Sequence, residues 1–222
     1  MNPRLLKFVV YLVALCGIAL LAQSRPAATR IVQTSEKSAI HTPAVLTPGL
    51  ARIYSNLGPS TDAYNDESAE VISGPTSLLN FSLAYALPFT PKVDATVHEV
   101  TAPVVYNGFG ANQVNFSLYS DTSGVPGTIL AGPETIKNLP SFGTCCKMAS
   151  WSLATPLAVS AGTQYWIVVD TPASGPGSDF YGAWNFVFPT PFTQASNEGG
   201  FGWGQQKTGY LQTAAGVFGT TP

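Results

Sequence analysis

The sequence predicts an all-β protein: an antiparallel β-sandwich of the jelly-roll kind, preceded by an N-terminal signal helix. Three observations predict it. Apolar and polar residues alternate in short runs along the body of the chain, the period of strands that bury one face. Turn formers are dense, with 21 Gly and 18 Pro in 222 residues, and no long helix-forming stretch follows the leader. The runs number about nine, enough for two packed antiparallel sheets.

The leader comes first. Arg4 and Lys7 precede the apolar run Phe8–Ala22. A basic head on a short apolar stretch is the pattern of a secretory signal, and the run falls short of the roughly 20 apolar residues of a membrane span. "AQS" at 22–24 offers small residues for cleavage. The expected division is a signal peptide over 1–24, a linker without fixed structure over 25–50, rich in Ala, Thr, Ser and Pro, and a β-domain over 51–222. The expected location is secreted, extracellular or periplasmic, with membrane contact only through an uncleaved leader.

Composition narrows the partners. Charged residues make up 10% of the chain and the net charge is −2, against about 25% charged residues in an average domain. Phosphate binding needs clustered Lys and Arg, so no nucleic-acid partner is expected.

In the β-domain, "LLNFSLAY" places Leu79, Phe81, Leu83 and Tyr85 on one face. "PKVDATVHEV" places Val93, Ala95 and Val97 inward, and then the phase slips at Glu99 and Val100. Either a bulge resets the register or Glu99 is a buried carboxylate, and the bulge is favoured. "QVNFSLYS" turns Val114, Phe116 and Leu118 inward and Asn115, Ser117 and Tyr119 outward. "SDTSGVPGTIL" carries a Gly-Val-Pro-Gly turn, residues 124–127, between two strands, with an Asp-led hydrogen-bonded turn preferred over a calcium loop at Asp121. "YWIVV", residues 165–169, is apolar on both faces, as a central strand covered from both sides would be. "DFYGAWNFVFP" puts Phe180, Trp184, Phe186 and Phe188 on one face, with Tyr181, Ala183, Asn185 and Val187 on the other.

Two cysteines, Cys145 and Cys146, are adjacent in "FGTCCKM". Neighbouring Cα atoms lie about 3.8 Å apart, whereas disulfides usually span about 4.4–6.8 Å. Four states are open in an oxidising compartment: a strained vicinal disulfide, a cross-link between chains, free thiols, or a soft-metal site. The ring is favoured, because "FGT" is turn-like. Two adjacent thiols and His98 fall short of about four zinc ligands, so neither a metal nor any other cofactor is expected.

The wording of several segments resembles one family. "IYSNLGPS", "VNFSLYSDTSGVPGTIL", "NLPSFGTCC", "AVSAGTQYWIVVD" and "GAWNF" are similar to the choice-of-anchor R domains, over roughly Arg52–Gly219. The resemblance implies a secreted bacterial β-sandwich, displayed on or released from the cell, with no known catalytic activity. The chain departs from the family pattern in two ways. It closes on "GTTP" without a sorting tail, and "DAYNDESAEV" lacks the second cysteine pair. If the two pairs normally join, the resemblance implies that Cys145 and Cys146 have lost their partners.

Catalytic patterns are sparse. Asp94 and His98 are four residues apart on one strand, about 13 Å, so they share a face without touching. Glu70, Glu99, Glu134, Asp170 and Asp179 are the carboxylates from which a glycosidase pair would be drawn, but none sits in a distinctive motif. No catalytic residue is therefore assigned. Aromatic residues are the better lead, because sugar rings stack on exposed Trp and Tyr. Trp203, among glycines, is the first candidate, with Tyr181 and Tyr210 behind it, whereas Trp166 and Trp184 are expected in the core. The expected function is a non-catalytic extracellular or cell-surface binding or structural module. A carbohydrate-binding module and a hydrolase on the same scaffold are the alternatives, and the expected partner is a polysaccharide or cell-surface component.

Overall fold

The structure, a computed structural model, describes residues 30–32, 47–58, 64–143, 147–187, 192–208 and 212–222. The expected signal helix, Cys145, Cys146, Phe188 and Tyr210 lie outside the described residues. Among the described residues the chain is all-β and forms fifteen strands: β1 (Arg30–Val32), β2 (Ala51–Ser55), β3 (Asn65–Ser73), β4 (Leu83–Phe89), β5 (Ala95–Ala102), β6 (Val104–Phe109), β7 (Gln113–Thr122), β8 (Val125–Lys137), β9 (Ala149–Val159), β10 (Tyr165–Asp170), β11 (Tyr181–Val187), β12 (Phe192–Glu198), β13 (Trp203–Thr208), β14 (Gln212–Thr213) and β15 (Gly216–Thr220). The excess over nine comes from short strands with too few residues to show an alternation, and from β12 and β13, whose Gln, Ser and Thr residues hide it. β1 falls inside the segment expected as a linker: it pairs with Ser68–Glu70 of β3.

The ladders between strands are antiparallel. The larger sheet runs β14-β11-β3-β4-β10-β7-β8, with β1, β6, β12 and β13 attached off that path, and the smaller runs β2-β15-β5-β9. One hydrophobic cluster draws on both sheets. Leu83, Tyr85, Leu87, Phe116, Leu118, Ile167, Val169 and Trp184 come from the larger; Val97, Val100, Ala102, Trp151, Leu153 and Val217 come from the smaller. This shared burial ties the two sheets together.

β10 behaves as its sequence predicts. It pairs with β4 on one edge and β7 on the other. Tyr165, Ile167 and Val169 enter the main core, while Trp166 and Val168 join a second cluster with Ala86 and Ala195. The inward and outward residues of β7 also fall as expected: Val114, Phe116 and Leu118 are buried in the main core, and Tyr119 packs on the second cluster. Phe180, Trp184 and Phe186 are fully buried.

Elsewhere the alternation misleads. β4 begins at Leu83. Residues 77–82 form turns, held by hydrogen bonds from Ser77 N to Gly74 O and from Asn80 N to Ser77 O. Leu79 is therefore exposed, and Phe81 packs on the core from outside a strand. Val93 precedes β5 and is exposed as well. At Glu99 both readings hold. The register of β5 against β9 shifts between Val97 and Glu99, and the shift returns Val100 and Ala102 to the core. Glu99, left on the other side, is still buried, and it accepts hydrogen bonds from Ser150 Oγ at 2.9 Å and Thr47 Oγ1 at 2.5 Å.

The larger sheet forks at β4. β3 meets that strand at a single pair, Ser73–Leu83, while β12 pairs with Leu83–Ala86. Side-chain amides span the fork. Gln194, fully buried, donates from Nε2 to Glu70 Oε1 at 3.3 Å and to Gln206 Oε1 at 3.2 Å. Buried polar groups need such partners to offset lost hydration.

Candidate functional site

The fork leaves β12 and β13 extending the back of the larger sheet, on the side away from the main core. Successive strands place their residues in rows across that back. One row is set by the registers Trp203–Asn197, Asn197–Ala84, Asp170–Asn115 and Asn115–Thr135. Asp170 follows the last β10–β4 pair, Val169–Tyr85, and so stands beside Ala84. Strands are about 4.8 Å apart, so the row from Trp203 to Thr135 crosses five steps, about 24 Å. Ala84, the smallest side chain in it, lies on a central strand and is still partly exposed. Trp203, Asn197, Ala84, Asp170 and Asn115 are each partly exposed and Thr135 is exposed, so the row is open to solvent.

The adjacent rows are closed. Trp166, Val168, Ala86 and Ala195 are fully buried, with Tyr119, Val125 and Trp203 packed on them. The β7–β8 hairpin provides part of this cover. Its Asp-led turn forms as expected, with Gly124 N donating to Asp121 Oδ2 at 3.1 Å, although the tip is Ser123–Gly124 and Val125, Pro126 and Gly127 belong to β8. Asp121 Oδ1 also accepts from Trp166 Nε1 at 2.8 Å and Gln164 Nε2 at 2.6 Å. Burial raises the Asp121 pKa, but these three hydrogen bonds outweigh it and hold the carboxyl below its ordinary value. Across the sheet, Gln205 Nε2 of β13 donates to Gly124 O at 2.8 Å and pins the tip down.

Polar groups in the open row are linked. Thr135 Oγ1 donates to Asn115 Oδ1 at 3.1 Å, and the Asn115 side chain hydrogen-bonds to Asp170. Burial pushes the Asp170 carboxyl up to about 6 despite that bond. Its Oδ1 is shielded and has no hydrogen-bond partner among the described residues. Tyr119 is raised too, by burial and then by the nearby Asp170 charge. At the far end, Asn197 Oδ1 accepts from Gly202 N at 3.1 Å, which fixes the β12–β13 turn beside Trp203.

Of the aromatic candidates, Trp203 and Tyr181 pack on different clusters. Trp203 is partly buried on the Trp166 cluster. Tyr181 packs on the main core and meets exposed Phe109 edge-on, with ring centroids 6.3 Å apart. Trp166 and Trp184 are fully buried and Trp151 nearly so, which leaves Trp203 as the accessible one of the four tryptophans.

The carboxylates and His98 are spread over different partners. Asp94 Oδ1 accepts from Ala161 N at 2.8 Å, while His98 Nε2 is 3.5 Å from Thr220 Oγ1. Asp179 Oδ1 accepts from Ala111 N at 2.9 Å, and Glu134 is exposed. Glu70 lies at the fork and Glu99 on the back of the smaller sheet. A groove of about 620 Å³ opens elsewhere, lined in part by Arg52, Tyr54, Phe89 and Lys92; burial pushes Tyr54 there up to about 12.

The sequence alone does not bring Asp170, Asn115 and Asn197 into one row. Asn115 and Tyr119 are assigned to the outer face by alternation, but the partners of Asp170 depend on strand pairing between distant segments. No protein-family model matches the chain, and no curated protein or solved structure matches it either.

Proposed function

We propose that this protein is a secreted, non-catalytic extracellular or cell-surface binding module on a β-sandwich of the jelly-roll kind. The basic-apolar leader, the low charge and the resemblance to choice-of-anchor R domains support secretion and the sandwich. The open row across the back of the larger sheet carries the binding role: partly exposed Trp203, Asn197, Asp170 and Asn115 flank partly exposed Ala84 on a central strand. An antiparallel sheet commonly leaves one face to solvent, and an exposed row furnished with amides, a carboxyl and an indole suits a polar ligand.

Fractionation of bacteria producing the tagged chain tests the location. Recovery in the medium or cell envelope, at a mass lacking the leader, is the expected result, and retention of the uncut chain in the cytoplasm would overturn it. Turnover of chromogenic esters or glycosides would favour the hydrolase instead.

A further inference from the structure

We infer that the open row is a binding face for a neutral, linear oligosaccharide lying across the strands, with its first ring stacked on Trp203. The inference rests on the binding reading above and names the ligand class for that face.

Three features select a sugar. A pyranose has an apolar C–H face and a hydroxyl rim, and the row pairs an indole with amides and a carboxyl in line. The indole offers its flat apolar surface; Asn197, Asp170 and Asn115 follow at successive strand spacings and offer both donors and acceptors. Ala84, partly exposed between them, carries only a methyl group and takes up the least space of the row. The Asp170 carboxyl, in a partly exposed residue, is an acceptor, and a sugar hydroxyl is a donor.

The charge in the row is a carboxyl, with no cation among Trp203, Asn197, Ala84, Asp170, Asn115 and Thr135. This disfavours uronic-acid chains, which would meet like charge when Asp170 is ionised. A peptide added by strand pairing needs an open edge. Here the surface is a face, and β12, β4, β10 and β7 each have neighbours on both sides.

The test is calorimetric titration of the full chain with cellohexaose and chitohexaose, alongside oligogalacturonate of equal length and poly-L-proline. Saturable binding of at least one neutral hexasaccharide is expected. Trp203→Ala should weaken it at least tenfold and Asn115→Ala several-fold, while Trp203→Phe, which keeps a ring, retains most of it. Bound sugar should also shield Trp203 from iodide quenching. Binding of neither hexasaccharide, binding unchanged by Trp203→Ala, or preferential binding of oligogalacturonate or poly-L-proline would each overturn the inference. Fractionation of the secreting cells is independent of all these outcomes, so the location reading fails or stands separately.

Discussion

Replacing Asp170 by Asn should stabilise the protein at neutral pH and not at acid pH. The Asp170 carboxyl ordinarily titrates at 3.8 and here is pushed up to about 6, chiefly by burial. The folded state therefore holds the proton more tightly than the unfolded chain does. For a raised carboxyl the penalty is absent below 3.8, grows as pH rises from 3.8 towards 6, and is complete above that. The difference of about two units corresponds to about 3 kcal/mol at 1.36 kcal/mol per unit. Asp170 is partly exposed, so solvent screening reduces the effect to about 1–2 kcal/mol. Asparagine keeps an oxygen for the Asn115 side chain but carries no charge. Urea unfolding of both proteins at pH 4 and pH 7.5 is the assay. The variant should be more stable by that amount at pH 7.5, with the gap nearly closed at pH 4. A gap that is equal at both values, or reversed at pH 7.5, would refute the reasoning.

Other expected outcomes follow from single contacts. Gly182→Ala should destabilise by about 1–3 kcal/mol, as overpacking does, because a Cβ there would strike Val105 O and the Phe180 ring; thermal unfolding checks it. Asp121→Ala strips charge-assisted hydrogen bonds from Trp166 Nε1 and Gly124 N and should cost about 1.5–3 kcal/mol. Since its pKa is lowered in the fold, the stability that Asp121 contributes is present above 3.8 and is lost as pH falls through the folded value, so wild type and variant should converge in acid. Gln194→Ala removes an amide from buried Glu70 and partly buried Gln206 and should cost about 1–3 kcal/mol, measured by denaturant midpoint. N-Bromosuccinimide should oxidise one tryptophan, Trp203, well before the other three; equal reactivity of all four would contradict their burial.

What could be read from the sequence was set by local alternation. β7 and β10 have neighbours on both edges, and over residues 114–119 and 165–169 their side-chain faces follow from parity alone. Parity fails where a turn interrupts it, at Leu79 and Val93, and where a bulge inserts a residue, at Glu99. There the sequence offers the slip itself as a signal, and the slip was visible. β12 and β13 escape notice because their strands are polar, and their partners are set by pairing with β4 more than a hundred residues earlier in the chain. The candidate face depends on that pairing, so Trp203 was recognised while Asn197 and Asp170 were not joined to it. Tyr181 was singled out by exposure to one side of an alternating run, and the core claims most of its ring.

The ladder between β2 and β15 has a mechanical consequence. Ala51 is registered with Gly219 and Ser55 with Gly216, so the first and last strands of the smaller sheet in chain order have their outer ends at the same pole. Tension applied between those ends loads the rungs one after another, as in parting a zip, and never all in shear. Pulled apart at Ala51 and Gly219, β2 should peel from β15 at low force, beginning at that pair.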